Sequence, residues 1–368
     1  MRKSLFWSRA IAIAAIGVLA ANAQAQRGPA DPQMRGDGPP PEARPFSITR
    51  ADPALDQIIS PDARLVELAH GFGLTEAGLW IADGQSGSWI FGGLLDNVLY
   101  RVNPQGQVSV FMEKAGYSGN DPDHVGTQTR AGRSHVLLIG PSCTGMDHEG
   151  RVIWCADDDR EVMRLEKDGA HTVLSSGTNG QKFSGPNDIA IAADDAVYVA
   201  DNDFGLRDAG KNPDKQLQNG IYRIKDGKTT LVLSGADLGG TPNGIALSPD
   251  GAMLYVGSDT QAKVWKLPVD AAGAVGAPTL LIDGPQVPGG FKVPDGICVD
   301  DRGDLYVANN DDAVKAIVVF DPAGHSLGRI PFPLRPSNCS FGGADRRTLY
   351  VTTLHAVYAL TVPTPGLP

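Results

Sequence analysis

The sequence predicts an all-β chain folded as a six-bladed β-propeller. Three observations carry that prediction. Apolar and polar residues alternate with period two in short runs rich in Val, Ile and Tyr, and no stretch shows a 3.6-residue apolar stripe. The 45 glycines and 27 prolines supply turn chemistry on a scale a helical bundle does not use. One composite unit also recurs along the chain: a small or polar tripeptide, an apolar strand, a polar turn, and a second strand rich in Val, Tyr and Ala.

The elements follow in order. Residues 1–25 read as a cleavable secretory signal. Arg2, Lys3 and Arg9 precede a short apolar run, and Ala23-Gln24-Ala25 forms a small-residue cleavage site, so the mature chain is expected to start at Gln26. Export places the protein in the periplasm or outside the cell, with no membrane segment in the mature form. Residues 26–49, rich in Pro and Gly, read as a solvated linker. Residues 50–368 are expected to form the propeller.

Five clear copies of the repeat begin at Cys143-Thr144-Gly145, Pro186-Asn187-Asp188, Pro242-Asn243-Gly244, Pro294-Asp295-Gly296 and Ser337-Asn338-Cys339, with a weaker one at Thr75-Glu76-Ala77. They recur at intervals of about 40–70 residues, against about 40–50 for a four-stranded blade, and the excess falls to loops such as 114–135. Third strands follow, as in Leu99-Tyr100-Arg101-Val102 and Ile221-Tyr222-Arg223-Ile224. The last blade supplies only three strands, and Arg64-Leu65-Val66-Glu67-Leu68 is expected to add the fourth and close the ring.

With 42% hydrophobic and 20% charged residues, the chain can bury a core and is not globally disordered. A net charge of −10 without a basic stripe argues against nucleic-acid binding, which needs cations to displace counterions. The four cysteines, Cys143, Cys155, Cys298 and Cys339, are expected as separately buried small hydrophobes, with pairing of Cys143 and Cys155 across a turn as the alternative.

In a propeller the first strand of each blade faces the central channel, so one position per repeat converges on the axis. Those positions are read as Glu76, Thr144, Asn187, Asn243, Asp295 and Asn338. Carboxylates and carboxamides meeting in a narrow channel need compensation, and a bound cation supplies it. All-oxygen donors select a hard ion, Ca2+ first. The competing reading is that these Asn-Gly and Asp-Gly pairs serve as turn or strand-start residues.

These residues resemble the senescence marker protein-30/gluconolactonase/luciferin-regenerating-enzyme-like family from about Leu65 to Leu360. The resemblance rests on Ser184-Gly185-Pro186-Asn187-Asp188, Asp201 with Phe204-Gly205-Leu206, Pro242-Asn243-Gly244-Ile245-Ala246, Val293-Pro294-Asp295-Gly296-Ile297 and Ser337-Asn338-Cys339-Ser340-Phe341. It implies a divalent metal, usually calcium, with Mg2+, Mn2+ or Zn2+ as alternatives, and hydrolysis of sugar lactones. It assigns the metal to Glu76, Asn187, Asn243 and Asp295. The chain departs from the family where Thr144 stands for an Asn of bacterial members and Gly185 for a sugar-holding Arg of animal members.

In that chemistry Asp295 is the expected general base and Asp188 the second choice, with Asn187, Thr144 and His124 as substrate contacts. His124 lies on the long 114–135 loop. Asp201, Asn202 and Asp203 either hold a second, structural cation or form an ordinary acidic loop. The absence of a GxSxG elbow, an HExxH helix and a P-loop disfavours serine-hydrolase, zinc-peptidase and nucleotide chemistry. The expected partner is a small-molecule lactone, with the protein a monomer or weak dimer. Hydrolysis of phosphotriesters or other esters on the same metal, and a non-catalytic ligand-binding propeller, are the alternatives.

Overall fold

The computed structural model describes residues 42–44, 47–84, 86–120, 128–130, 133–136, 138–206 and 215–367. Among them, six antiparallel sheets form the blades of a six-bladed propeller. Blade 1 runs Thr75–Asp83, Ser86–Gly93, Val98–Val102 and Val108–Glu113. Blades 2, 3 and 4 begin with the inner strands Pro141–Met146, Pro186–Ile191 and Pro242–Leu247. Blade 5 begins with Pro294–Val299 and blade 6 with Pro336–Gly342. Five inner strands thus start at proline, which suits a strand's first residue because it donates no ladder hydrogen bond.

Closure follows the sequence expectation. Leu65–His70 pairs with Ala356–Thr361 and supplies the outer strand of blade 6. Strand pairing starts upstream of residue 50, however. Glu42–Arg44 lies on Leu65–His70, and Thr49–Arg50 pairs with Ser326–Pro331 of blade 5. The chain therefore straps the outer edges of blades 5 and 6 before it enters the ring, and covered edges resist pairing with foreign strands.

The core is a set of seams between blades. Trp89, Phe91 and Tyr100 of blade 1 pack against Tyr350 and Val357 of blade 6. Ile153 and Val162 meet Val199 and Tyr222 between blades 2 and 3, and Tyr198 and Ile221 meet Leu254 and Val256 between blades 3 and 4. The seam between blades 5 and 6 also buries Leu55, Ile58 and Ile59 from the short helix Leu55–Ile58 and its end. Residues on alternate sides of each strand fill two seams, which is why the sequence reads as near-continuous Val-Tyr-Val runs rather than strict alternation.

The cysteines correct the reading of four separate thiols. Cys143 bonds Cys155 between the first two strands of blade 2, and Cys298 bonds Cys339 between the inner strands of blades 5 and 6. The second pair joins residues 41 apart in sequence and was not anticipated at all.

Candidate active site

Each inner strand breaks register with its neighbour near its upper end, the end that carries the starting residue, Thr75 in blade 1 and proline in the others. The shifts fall between Glu76 and Leu79, Pro141 and Thr144, Pro186 and Asp188, Pro242 and Ile245, Pro294 and Ile297, and Pro336 and Asn338. A bulge re-aims the side chains beside it and is a common device at active sites. The residue after the starting one is Glu76, Ser142, Asn187, Asn243, Asp295 or Ser337; it is unpaired in blades 2 to 6, while Glu76 pairs with Gly92 directly above the break.

Four of the six expected ring residues therefore share one backbone position: Glu76, Asn187, Asn243 and Asp295. Thr144 does not. Its strand pairs Thr144 with Trp154 as blade 4 pairs Ile245 with Val256, so Thr144 lies two residues below the ring. There its hydroxyl accepts the Gly78 N–H at 3.0 Å. Ser142 and Ser337 hold the ring position in their blades, and both are buried and donate to the next blade, to the Pro186 and Thr75 carbonyls. Asn338, one residue below, still reaches the Glu76 carboxylate. His124 lies outside the described residues.

The glycines after Asn243 and Asp295 have a packing reason, not a turn reason. A Cβ on Gly244 would lie 2.1 Å from the Asp295 carbonyl oxygen, and one on Gly296 would lie 2.0 Å from Asn338 Oδ1. Adjacent inner strands approach so closely at the hub that no side chain fits between them.

Three carboxylates share this ring. Burial pushes Asp295 up to about 7, against the amide of Asn310, whose Nδ2 donates to Asp295 Oδ2 at 2.6 Å. Burial likewise takes Asp188 to about 7, although its oxygens accept the N–H groups of Ile189 at 2.9 Å and Ile245 at 3.0 Å. Glu76 is held well above the usual carboxylate range by burial first, then by Asp295 and Asp188. Arg335, ion-paired with Asp312 at 3.4 Å, pulls Asp295 down, but by less than burial raises it. Gathering buried carboxylates with so little cationic compensation costs several kcal/mol per ion unless a counterion enters.

Glu76 and Asp295 with the carboxamides of Asn187 and Asn243 form an oxygen-only donor set on one backbone position, which fits a hard divalent ion. Among the described residues no three His, Cys, Asp or Glu side chains close on an ion by themselves, so the carboxamides are needed to complete the set. Asp201 and Asp203 do not join it. Asp201 is fully buried and accepts the Ser184 and Gly185 N–H groups, while Asp203 pairs with Lys215 and Asn219.

Below the ring lies a cavity of about 540 Å³. Its wall mixes aliphatic side chains, among them Leu79, Ile189, Ile245 and Leu367, with the polar groups of Asp147, His148 and Asp250. Asp188 and Asn338 border it from above.

Residues 74–355 match the family model described as the SMP-30/Gluconolactonase/LRE-like region. The chain belongs to this family. It is 29% identical over 330 residues to a gluconolactonase of Zymomonas mobilis, covering 87% of both chains. A 112-residue stretch is 35% identical to a 6-deoxy-6-sulfogluconolactonase of Pseudomonas putida, covering 30% of this chain and 37% of that one. Among solved structures, a gluconolactonase of Xanthomonas campestris superposes with a TM-score of 0.70 at 24% identity, covering 89% of this chain and 98% of that one. These likenesses match the family resemblance read from the sequence motifs.

Sequence reasoning passed over Asn310 and Ser142. Neither stands in a motif: Ser142 is displaced from the Asn-Gly pattern of its sister blades, and Asn310 ends a second strand, Leu305–Asn310, rather than an inner one.

Proposed function

We propose that this family member hydrolyses a sugar lactone of the gluconolactone type, using a divalent cation, Ca2+ in the first instance. The observation that carries the reading is the convergence of Glu76, Asp188 and Asp295 at the hub, each held above the usual carboxylate range chiefly by burial, in a chain that aligns along most of its length with a gluconolactonase.

Glu76, Asn187, Asn243 and Asp295 would hold the ion. When bound, it supplies Lewis-acid polarisation of the lactone carbonyl and stabilises the negative charge that develops on that oxygen. The chain's own residues do the rest. Both oxygens of Asp188 are engaged by backbone N–H groups of blades 3 and 4, so Asp188 fixes the spacing of Asn187 and Asn243 rather than shuttling protons. Asp295 is the general base: its carboxylate accepts a proton from water as the water oxygen bonds to the carbonyl carbon. The same proton passes to the ring oxygen as the acyl carbon–oxygen bond breaks, leaving the open hydroxy acid. General-base assistance of this kind is worth roughly 10²–10⁴-fold.

The signal-like N-terminus and the two disulfides support an exported protein, since disulfides persist in oxidising compartments. The test is a pH-stat assay of the purified protein on D-glucono-1,5-lactone, before and after chelation and after add-back of Ca2+, Mg2+, Mn2+ or Zn2+, together with metal analysis. Chelator-sensitive hydrolysis restored by one of these ions is expected. Background rates with every ion would refute the reading.

A further inference from the structure

Asn310 ends the second strand of blade 5, beside Asn309, and the two asparagines spend their side chains differently. Asn309 is wholly occupied with backbone: its Oδ1 accepts the Lys292 and Val293 N–H groups at 2.8 and 3.2 Å, and its Nδ2 donates to the Val314 carbonyl at 2.7 Å. Asn310 donates to Asp295 Oδ2 at 2.6 Å, and its Oδ1 is buried with no hydrogen-bond partner among the described residues. Facing a carboxylate, the amide presents its NH2, which fixes Oδ1 on the other side.

The corresponding residue in blade 3 sharpens the contrast. Pro186 pairs with Asp201 as Pro294 pairs with Asn309, which makes Asn202 the counterpart of Asn310. Asn202 satisfies both ends of its amide on protein backbone, donating to the Pro242 carbonyl at 2.9 Å and accepting the Phe204 N–H at 3.1 Å. The fold therefore accommodates an asparagine here as a strut between blades. In blade 5 the same slot is turned onto the carboxylate of the ring and leaves an acceptor unspent. A buried unpaired acceptor is destabilising unless a ligand donor reaches it.

We propose that Asn310 is a positioning residue for Asp295, and that its Oδ1 accepts a hydrogen bond from a hydroxyl of the bound reactants, either the attacking water or a substrate hydroxyl. The inference rests on the hydrolase reading above and adds to it a residue outside the inner strands. By holding Oδ2, Asn310 keeps the carboxylate in one rotamer and directs its remaining lone pairs at the reacting water. By presenting Oδ1, it orients an O–H beside that carboxylate.

The experiment compares wild type, Asn310→Leu, Asn310→Asp and Asp295→Asn as full-length purified proteins. The substrates are D-glucono-1,5-lactone and δ-valerolactone, a six-membered lactone without hydroxyls. Asn310→Leu keeps the side-chain volume and removes both polar groups. Its kcat is expected to fall roughly 10- to 100-fold on each lactone, the range usual for an orienting partner, with the thermal midpoint unchanged. An added rise in KM confined to D-glucono-1,5-lactone assigns the Oδ1 contact to a substrate hydroxyl, and an unchanged KM on both assigns it to water. Asn310→Asp keeps the shape and the acceptor but loses the donor, and its kcat is expected to fall at least as far. It carries the test if Asn310→Leu does not fold. Wild-type kcat and KM in the Asn310 variants beside an inactive Asp295→Asn would overturn the proposal. Wild-type turnover by Asp295→Asn would remove Asp295 from the mechanism and the proposal with it, whereas no turnover of either lactone by the wild-type protein would instead overturn the hydrolase reading itself.

Discussion

Opening the Cys298–Cys339 bond is expected to destabilise the ring more than opening Cys143–Cys155. The bond links the inner strands of blades 5 and 6 just below Asp295 and Asn338, across 41 residues, whereas the other pair closes only 12. Cross-linking removes loop-closure entropy from the unfolded chain, and the chain-entropy relation gives ~4 kcal/mol for the longer loop and ~3 kcal/mol for the shorter. For an m-value near 4 kcal/mol per molar guanidinium, the loss of ~4 kcal/mol lowers the denaturation midpoint by about 1 M. The perturbation is the double variant Cys298→Ala/Cys339→Ala, compared with Cys143→Ala/Cys155→Ala under the same buffer. Equilibrium unfolding followed by tryptophan fluorescence reads the midpoints, and lactone hydrolysis on the same denaturant series reads the site. Activity should fail at or before the global transition in the first variant, because the bridge braces the strands that carry Asp295 and Asn338. Coincident midpoints for wild type and the Cys298/Cys339 variant would refute this reasoning, as would a larger loss from the shorter loop.

Three further outcomes follow from the geometry. Asp295→Asn should lower kcat on D-glucono-1,5-lactone by roughly 10²–10⁴-fold with a native circular dichroism spectrum, and retention of wild-type turnover would remove Asp295 from the mechanism. Gly244→Ala forces a Cβ to within 2.1 Å of the Asp295 carbonyl, so it should cost about 1–3 kcal/mol and reduce turnover together, as read by thermal unfolding and a rate assay; an unaffected protein would show that the strands can part freely. Burial pushes Asp201 up to about 7, above an unfolded value of about 3.9, so the folded state holds the proton more tightly between those limits. Its contribution to stability is fully present below pH ~4 and is lost as pH rises through ~7. Asp201→Asn should flatten that part of the stability profile, and an unchanged slope in denaturant titrations from pH 4 to 7.5 would contradict the assignment.

The architecture was legible because each blade repeats its pattern and the missing outer strand had an obvious source in residues 64–68. Four ring residues were legible for the same reason: Glu76, Asn187, Asn243 and Asp295 sit directly after a paired starting residue. Blade 2 misled because sequence similarity places Thr144-Gly145 on Asn243-Gly244, while strand pairing places Ser142 there. Hydrogen-bond register, which decides which side chain faces the hub, leaves no trace in a single Thr-Gly pair. The Cys298–Cys339 bond was invisible because it depends on two inner strands meeting across a seam, a distance that no local spacing encodes. Asn310 was missed because its role differs from that of its counterpart Asn202, so repetition concealed it rather than marking it.

The six register breaks also bear on how such a hub can change over time. The kink belongs to the main chain and recurs with different side chains, from the serine of blade 2 to the asparagine of blade 4. Exchange at residues 76, 187, 243 and 295 thus alters the donors presented to the axis. Ser142 and Ser337 are less free to vary, because their buried hydroxyls also bind the Pro186 and Thr75 carbonyls of the next blade. New chemistry on this scaffold is therefore within reach of a handful of point substitutions.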